Sequence, residues 1–291
     1  MTRQIRVPGL LNVIRTDDAD TIRTLANHPA LDRDFEAKGP LINRLLAARV
    51  RRGLRSAMGP LPSALMRDDD TRAQSQADLR ERLKPRNWDA AGVGNLASYV
   101  QGADTRPVGE LAQEVIGRAL DSEYRANEDT WDAATKVERH LRARNPILRI
   151  IRWLSGELMR AQNVLSRASR NDGASVHGTG VAVHNLIDSL DWMRNAWTDP
   201  NRRARLTPQT AAHAAIRAPH TVMRAGAYDT DLLGGSVSPG TLVALDTRKA
   251  AGKSMDAHLA FLGDSWSGCP AEAWVMALLE EVWRQAEEDA S

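Results

Sequence analysis

Apolar residues along this chain recur mostly at helical spacing. Val108, Leu111, Ala112, Val115, Ile116 and Ala119 fall on one face of a helix predicted over 108–120. Earlier, residues 10–16 read as a short strand or extended segment. Asp17-Asp18-Ala19-Asp20 then offers an N-cap for a helix through Asn27, stopped by His28-Pro29. Helical spacing continues over 40–58, with Arg49, Arg51, Arg52 and Arg55 on the outside, until Gly59-Pro60 and Pro62 break it. A polar helix is predicted over 68–84. Residues 87–105 read as helix or loop around Gly92 and Gly94. Another helix is predicted over 128–144. From Pro146 the apolar stripe Ile147, Leu148, Ile150, Ile151, Leu154, Leu158 and Met159 predicts the next.

The later part begins with a turn at Asn171-Asp172-Gly173. A glycine-dotted run over 175–180 leads into a helix predicted over 181–197, ended by Thr198-Asp199-Pro200. Thr207-Pro208, a cap followed by proline at the first helical position, starts a short alanine-rich helix over 207–217. From Pro219 the pattern changes to short strands at 221–224, 228–233, 236–237 and 241–245, separated by Gly234-Gly235 and Pro239-Gly240. A final apolar-faced helix is predicted over 270–288. The fold class is mostly α with a small late β region. No internal repeat, low-complexity segment or domain boundary is visible, so 1–291 reads as a single domain.

Composition narrows the class. Apolar residues are 42% of the chain but aromatic ones only 4%, so alanine and leucine fill the interior, which favours helices. A net charge of +2 is too balanced to argue for nucleic acid or a membrane surface as partner. One cysteine excludes an internal disulfide and fits a reducing, cytoplasmic setting. The N-terminus has no apolar signal region, and no stretch approaches 18 uninterrupted apolar residues.

That cysteine, Cys269, follows a glycine-containing loop and precedes a helix. A helix N-terminus lowers a thiol's pKa, so the residue is placed to be a nucleophile or the axial ligand of a haem iron. The alternative is a small buried apolar side chain, the commoner fate of a free cysteine. Arg224 reads equally as an ordinary strand arginine, and Thr179 as the cap of the helix after it. Gly92-Val93-Gly94 alone is a weak phosphate-loop signal, and no zinc-ligand spacing is present. Trp192, Trp197, Trp274 and Trp283 are spaced as packing residues. The arginine runs at 49–55 and 202–205 read as solvated faces or, alternatively, as a basic docking patch.

The order of late elements resembles the C-terminal half of a cytochrome P450. Pro219, Arg224, Gly234-Gly235 and Pro239-Gly240-Thr241-Leu242-Val243 are similar to that family's strand signature. Phe261, Gly263, Cys269, Pro270 and Ala271 are similar to its haem loop, with Leu262 as one extra residue. The resemblance covers 175–288, and upstream it extends to Ile14–Phe35. It implies a compact, truncated cytochrome P450-like architecture. It also implies haem b ligated by Cys269, with Arg224 on a haem propionate, Phe261 and Gly263 in the haem loop, and Arg80 as a further cofactor contact. Thr179 is implied in the distal helix, with His177 beside it as a candidate proton donor; His184 is another. Several family groups are missing. Ala214 stands where a glutamate pairs with Arg217, Gly178 where an acid precedes the threonine, Ser267 where a base binds a propionate, and Gln76 where a histidine precedes Arg80. The meander between Val243 and Phe261 is compressed. The implied function is oxidative chemistry of monooxygenase or peroxygenase type on a small organic substrate, with a ferredoxin-type redox partner. The alternative is a haem-free scaffold acting as a binding or partner protein or as a non-redox enzyme.

Overall fold

The computed structural model describes residues 2–36, 38–56, 58–85, 88–103, 106–142, 155–217, 219–232, 235–254 and 256–290. It is mostly helical with a small sheet. The chain forms two compact units. One comprises Met1–Leu54, Ser63–Gln74 and Ala218–Cys269; the other comprises Arg55–Pro62, Ser75–Arg217 and Pro270–Ser291.

The first unit is built on a five-stranded sheet. Strands β1 (Thr2–Val7) and β2 (Leu11–Thr16) form an antiparallel hairpin. β2 alternates half-buried and buried residues, so Ile14 enters the core. β9 (Leu242–Leu245), buried at every position, runs parallel to β2, with Val13 opposite Leu242. β6 (Val222–Gly226) pairs antiparallel with β9, and the two-residue β3 (Leu31–Asp32) closes the edge. Helix α1 (Ala19–Asn27) starts at Asp18, whose carboxylate accepts the Thr21 N–H, and it buries Ile22 and Leu25 against Ile14, Val243 and Leu245. Helix α2 (Leu41–Gly53) is fixed by Asn43, which is fully buried. Its Nδ2 donates to the carbonyls of Asn12 (2.6 Å) and Gly240 (2.8 Å), while its Oδ1 accepts the Asn12 N–H. A buried amide is tolerated because its hydrogen bonds are satisfied.

Three features depart from the sequence expectation. Strand β1 is not predicted from the sequence, because its residues are polar and mostly exposed at a sheet edge. The helix expected over 40–58 stops at Gly53, and a small hairpin of β4 (Arg55–Ser56) and β5 (Gly59–Pro60) follows. The compressed stretch before the cysteine loop is regular. It forms α12 (Thr247–Ser254) and α13 (Ala257–Phe261), the latter capped by Asp256. β7 (Thr230–Leu232) and β8 (Gly235–Val237) make the expected hairpin, whose Gly234 lies outside the described residues.

The second unit is helical, with α3 (Asp70–Arg82) entering it after the first turn. Its further helices are α4 (Ala90–Gln101), α5 (Val108–Leu120), α6 (Glu128–Arg142) and α7 (Glu157–Ala168). Residues 143–154, which carry most of the stripe after Pro146, lie outside the described residues. Then come α8 (Gly173–His177), a π-helical turn (Gly178–Ala182) and α9 (Val183–Trp197) as one continuous rod. The glycine-dotted run is therefore already helical rather than a lead-in. The short α10 (Pro200–Arg203) and α11 (Pro208–Ala215) follow, and α14 (Glu272–Asp289) ends the unit. Its core is Leu, Ala and Val closed by tryptophans. Trp197 meets Trp283 edge-on at 5.2 Å, and Trp88 meets Trp274 edge-on at 6.4 Å.

Candidate functional site

Cys269 ends a tightly wound loop in the sheet unit. Helix α13 terminates at Leu262, a non-glycine residue in the left-handed region (φ 50°). That conformation costs about 1–2 kcal/mol. It is offset by burial, since the Leu262 side chain joins the core with Leu25 and Leu259. The residue that is extra relative to the resemblance thus becomes a core anchor. Turns then follow: Ser265 N–H to Leu262 O (2.9 Å), Gly268 N–H to Ser265 O (2.8 Å), and Cys269 N–H back to Phe261 O (2.8 Å). Gly263 lies under the His258 ring, where an added Cβ would stand 2.0 Å from a ring carbon, so a larger residue there would displace the ring. Phe261 and Gly263 therefore hold the loop that presents Cys269. The thiol is exposed, which removes the reading of Cys269 as a buried packing residue.

Arg224 on β6 is fully buried. Its Nη1 donates to Met223 O (2.9 Å) and its Nη2 to the Ser267 hydroxyl, while its Nε has no hydrogen-bond partner among the described residues. Ser267, found where a base was expected, thus serves Arg224. Three further arginines gather beside it. Arg33 donates to Ser267 O (3.3 Å). Arg72, in the first turn of α3, donates to Trp266 O through Nε (3.3 Å) and Nη2 (3.1 Å), and to Leu65 O (2.6 Å). Arg67 donates to the carbonyls of Asn27 and His28, both at 3.1 Å. All four guanidiniums stand around the Trp266 indole, Arg72 at 4.2 Å, Arg67 at 5.0 Å, and Arg33 and Arg224 at 5.4 Å from the ring centre.

Two carboxylates act on them, Asp69 on Arg72 and Asp32 on Arg33, Arg72 and Arg224. The Asp32 Oδ1 accepts the backbone N–H groups of Arg33 (2.6 Å) and Arg67 (2.9 Å). None of the four guanidiniums forms an ion pair among the described residues. Burial pushes Arg224 down to about 10, with the charge of Arg72 adding to the effect and Asp32 opposing it. Desolvation, then the charges of Arg224 and Arg72, push Arg33 well below the usual arginine range, opposed by Cys269 and Asp32. Sequence reasoning misses this cluster. Its members are far apart in the chain, and no local pattern marks them.

Thr179, His177 and Arg80 belong to the helical unit. Thr179 is fully buried in the π-helical turn, where its hydroxyl donates to Ser175 O (2.7 Å). Gln113 donates to the carbonyls of Thr179 and Thr130, each at 3.0 Å, and accepts from the Thr130 hydroxyl (2.8 Å). At Gly178 an added Cβ would stand 2.8 Å from both Ile116 and Leu120, so the packing excludes the acid missing there. His177 is half-buried, and Arg80 is exposed on α3. His184 is buried against the Trp131 ring, between Glu138 (3.2 Å) and Ala134 O (3.2 Å), and burial lowers its pKa. Arg217, with Ala214 where the resemblance places a glutamate, donates to the carbonyls of Ala214 (3.0 Å) and Ile216 (2.8 Å) and lies 5.6 Å from the Trp192 ring. Within the 202–205 run, Arg202 and Arg203 are not simply solvated, since they stack on Trp192 and Trp197.

Among the described residues no group of three His, Cys, Asp or Glu side chains stands together as a metal site, and no helix is long and apolar enough to cross a membrane. An exposed thiol in a unit with a buried guanidinium whose Nε is unused fits a haem, which brings its own four iron ligands and two carboxylates.

No protein-family model matches the sequence, and no curated protein matches it. Solved structures do match in fold. CYP175A1 from Thermus thermophilus is 12% identical, with a TM-score of 0.65 over 98% of this chain and 83% of that one. A 6-coordinated cytochrome P450, also from Thermus thermophilus, is 13% identical, with a TM-score of 0.64 over 97% and 85%. A variant of cytochrome P450 OleT in complex with arachidonic acid is 12% identical, with a TM-score of 0.61 over 97% and 82%. From the first strand to the last helix, the chain has a compact cytochrome P450-like fold.

Proposed function

We propose that this chain is a haem-thiolate protein carrying out oxidative chemistry on a small organic substrate. The observation that carries the reading is Cys269, exposed at the end of its wound loop, in the same unit as the buried Arg224 with an unused Nε. A haem bound there supplies iron, and a thiolate ligand pushes electron density onto it, which favours O–O cleavage. Arg224 holds one acid group of the cofactor through a charge-assisted hydrogen bond. Phe261 and Gly263 keep the loop in the shape that presents the thiol.

Thr179 and His177 are the proposed distal residues. The hydroxyl proton of Thr179 is engaged with Ser175 O, so it accepts rather than donates. With Gly178 unable to carry an acid, proton delivery is weaker than the fold usually provides. That favours a peroxide, which arrives with its own protons, over dioxygen with a reductase. Arg80, exposed on α3, is a more peripheral cofactor contact or part of a basic docking face for a ferredoxin-type partner.

A second reading is a haem-free scaffold that binds a small molecule or a partner protein. Ser267 in place of a base and Ala214 in place of a glutamate favour it, because such supporting groups usually tune and hold a metal centre.

One experiment separates the two. The chain is purified with haem supplied, and its spectrum is recorded oxidised and then reduced under carbon monoxide. A strongly red-shifted Soret band that is lost in Cys269→Ala supports the haem-thiolate reading. The absence of any Soret band leaves the scaffold reading standing. Turnover with hydrogen peroxide, compared with dioxygen plus a ferredoxin system, then identifies the oxidant.

A further inference from the structure

The large apolar side chains left in water are not scattered. Of the ten that are exposed among the described residues, six belong to two joined elements of the sheet unit: Ile5, Val7 and Leu10 on the β1–β2 hairpin, and Leu41, Ile42 and Leu45 on α2. The elements meet where these residues lie, since the Leu41 N–H donates to Gly9 O (3.3 Å) and the Ile42 N–H to Leu10 O (2.9 Å). The inward face of α2 is fixed by Asn43, whose amide is tied to Asn12 and Gly240, and by the buried Ala47. At 3.6 residues per turn, that register holds Leu41 and Leu45 on the opposite side. They cannot turn inward without breaking the buried hydrogen bonds of Asn43. Single exposed aliphatics are ordinary, but a group of them marks a surface that meets something else.

The same surface is basic. Residues 1–16 and 38–54 contain no aspartate or glutamate. Arg3 and Arg6 are exposed on β1, and α2 carries four arginines, of which Arg44, Arg51 and Arg52 are exposed. Glu36 acts on Arg51 from outside these segments and is itself engaged by Lys38. The whole-chain charge of +2 conceals this local excess. A second copy of the chain would set arginines against arginines. Nucleic acid would answer the charge but not the aliphatic side chains, since the six include no aromatic ring on which a base could stack. A bilayer with anionic headgroups answers both, its acyl boundary taking the aliphatics and its phosphates the guanidiniums.

We propose that the tip of the β1–β2 hairpin and the outer face of α2 form a docking surface for an anionic lipid bilayer. Leu10, Leu41 and Leu45 enter the boundary between headgroups and acyl chains, while Arg6 and Arg44 lie at the phosphates. The attachment is to one leaflet. It involves neither Cys269 nor Arg224, so it stands or falls separately from the haem-thiolate reading.

The test uses the full-length chain as purified, sedimented at low salt with vesicles of phosphatidylcholine alone or of phosphatidylcholine mixed with phosphatidylglycerol. The chain is expected to pellet with the mixed vesicles and to stay in solution with the neutral ones. Arg6→Gln and Arg44→Gln each weaken binding about fivefold, the worth of one basic residue near an anionic surface. Leu10→Ser and Leu45→Ser each weaken it about tenfold, by removing a side chain that leaves water on docking. Tyr228→Ser, which alters an exposed residue of the same unit outside the patch, leaves it unchanged. Far-UV circular dichroism and the urea midpoint confirm that each variant is folded. Failure to pellet with the mixed vesicles overturns the proposal. So does binding that falls in the arginine variants but not in the leucine ones, which is adsorption by charge alone and suits nucleic acid equally. A dimer in light scattering that dissociates in Leu45→Ser also overturns it, because a second copy then covers the patch.

Discussion

Arginine meets aromatic rings in both units, with opposite consequences. In the helical unit the contacts are singly or doubly made: Arg203 over Trp197, Arg202 and Arg217 over Trp192, and Arg194 over Tyr99. None of these arginines is fully buried, so water completes their hydration. In the sheet unit four guanidiniums converge on one indole, and Arg224 among them is wholly enclosed. The first arrangement is packing with a charge at its rim. The second places like charges side by side, where Arg72 disfavours the charge of both Arg33 and Arg224.

The largest test of this contrast lies in the helical unit. Trp283 is fully buried and stacks edge-on against Trp197. Trp283→Ala is expected to cost about 3–5 kcal/mol in urea unfolding, the usual effect of emptying a large aromatic site. A loss below about 1 kcal/mol, the scale of a surface change, would mean that this core is not the main source of stability. Gly178→Asp should come next. It forces a side chain into Ile116 and Leu120, with an expected loss of about 1–3 kcal/mol from overpacking. A neutral result would show room at the π-helical turn that the packing denies.

Arg33→Met should go the other way. Replacing a cation that desolvation and two neighbouring arginines disfavour by an apolar chain of similar length is expected to stabilise the haem-free protein by about 1 kcal/mol, read as a higher urea midpoint. A fall in midpoint would show that the cluster sustains itself. The smallest effect is the pH response of His184. Burial depresses its folded pKa below the unfolded value near 6.5, so its contribution is fully present above that pH. It is lost as pH falls through the folded pKa, because the unfolded chain then binds the proton more readily. Stability between pH 7.5 and 5.5 should fall less in His184→Gln than in the wild type, and an identical slope would remove His184 from the account.

Elements whose pattern is local were legible in the sequence. α5 runs over the residues its apolar face predicts, and Thr207-Pro208 caps α11 as read. The π-helical turn was not legible. Gly178 and Gly180 look like a break, yet they are small because Ile116, Leu120 and Leu165 press on them, a fact of packing that no single segment carries. Strand β1 was missed for the opposite reason: as a polar edge it has no burial pattern to read. Of the candidate site, the cysteine loop was visible through its glycines and order. Trp266 and its arginines were not, because a cluster assembled from residues 33, 67, 72, 224 and 266 leaves no trace in any one window.

The parallel pairing of β2 with β9 also sets an order of events during synthesis. Residues 13–16 need 242–245 as their neighbours, so the early hairpin leaves the ribosome long before its partner strand exists. Nearly all of the helical unit is made in the interval, and only α14 comes later. Closing a sheet across so long a separation is slow compared with forming local helices. The newborn chain therefore carries an unpaired β2 edge, the kind of exposed strand on which association between chains begins.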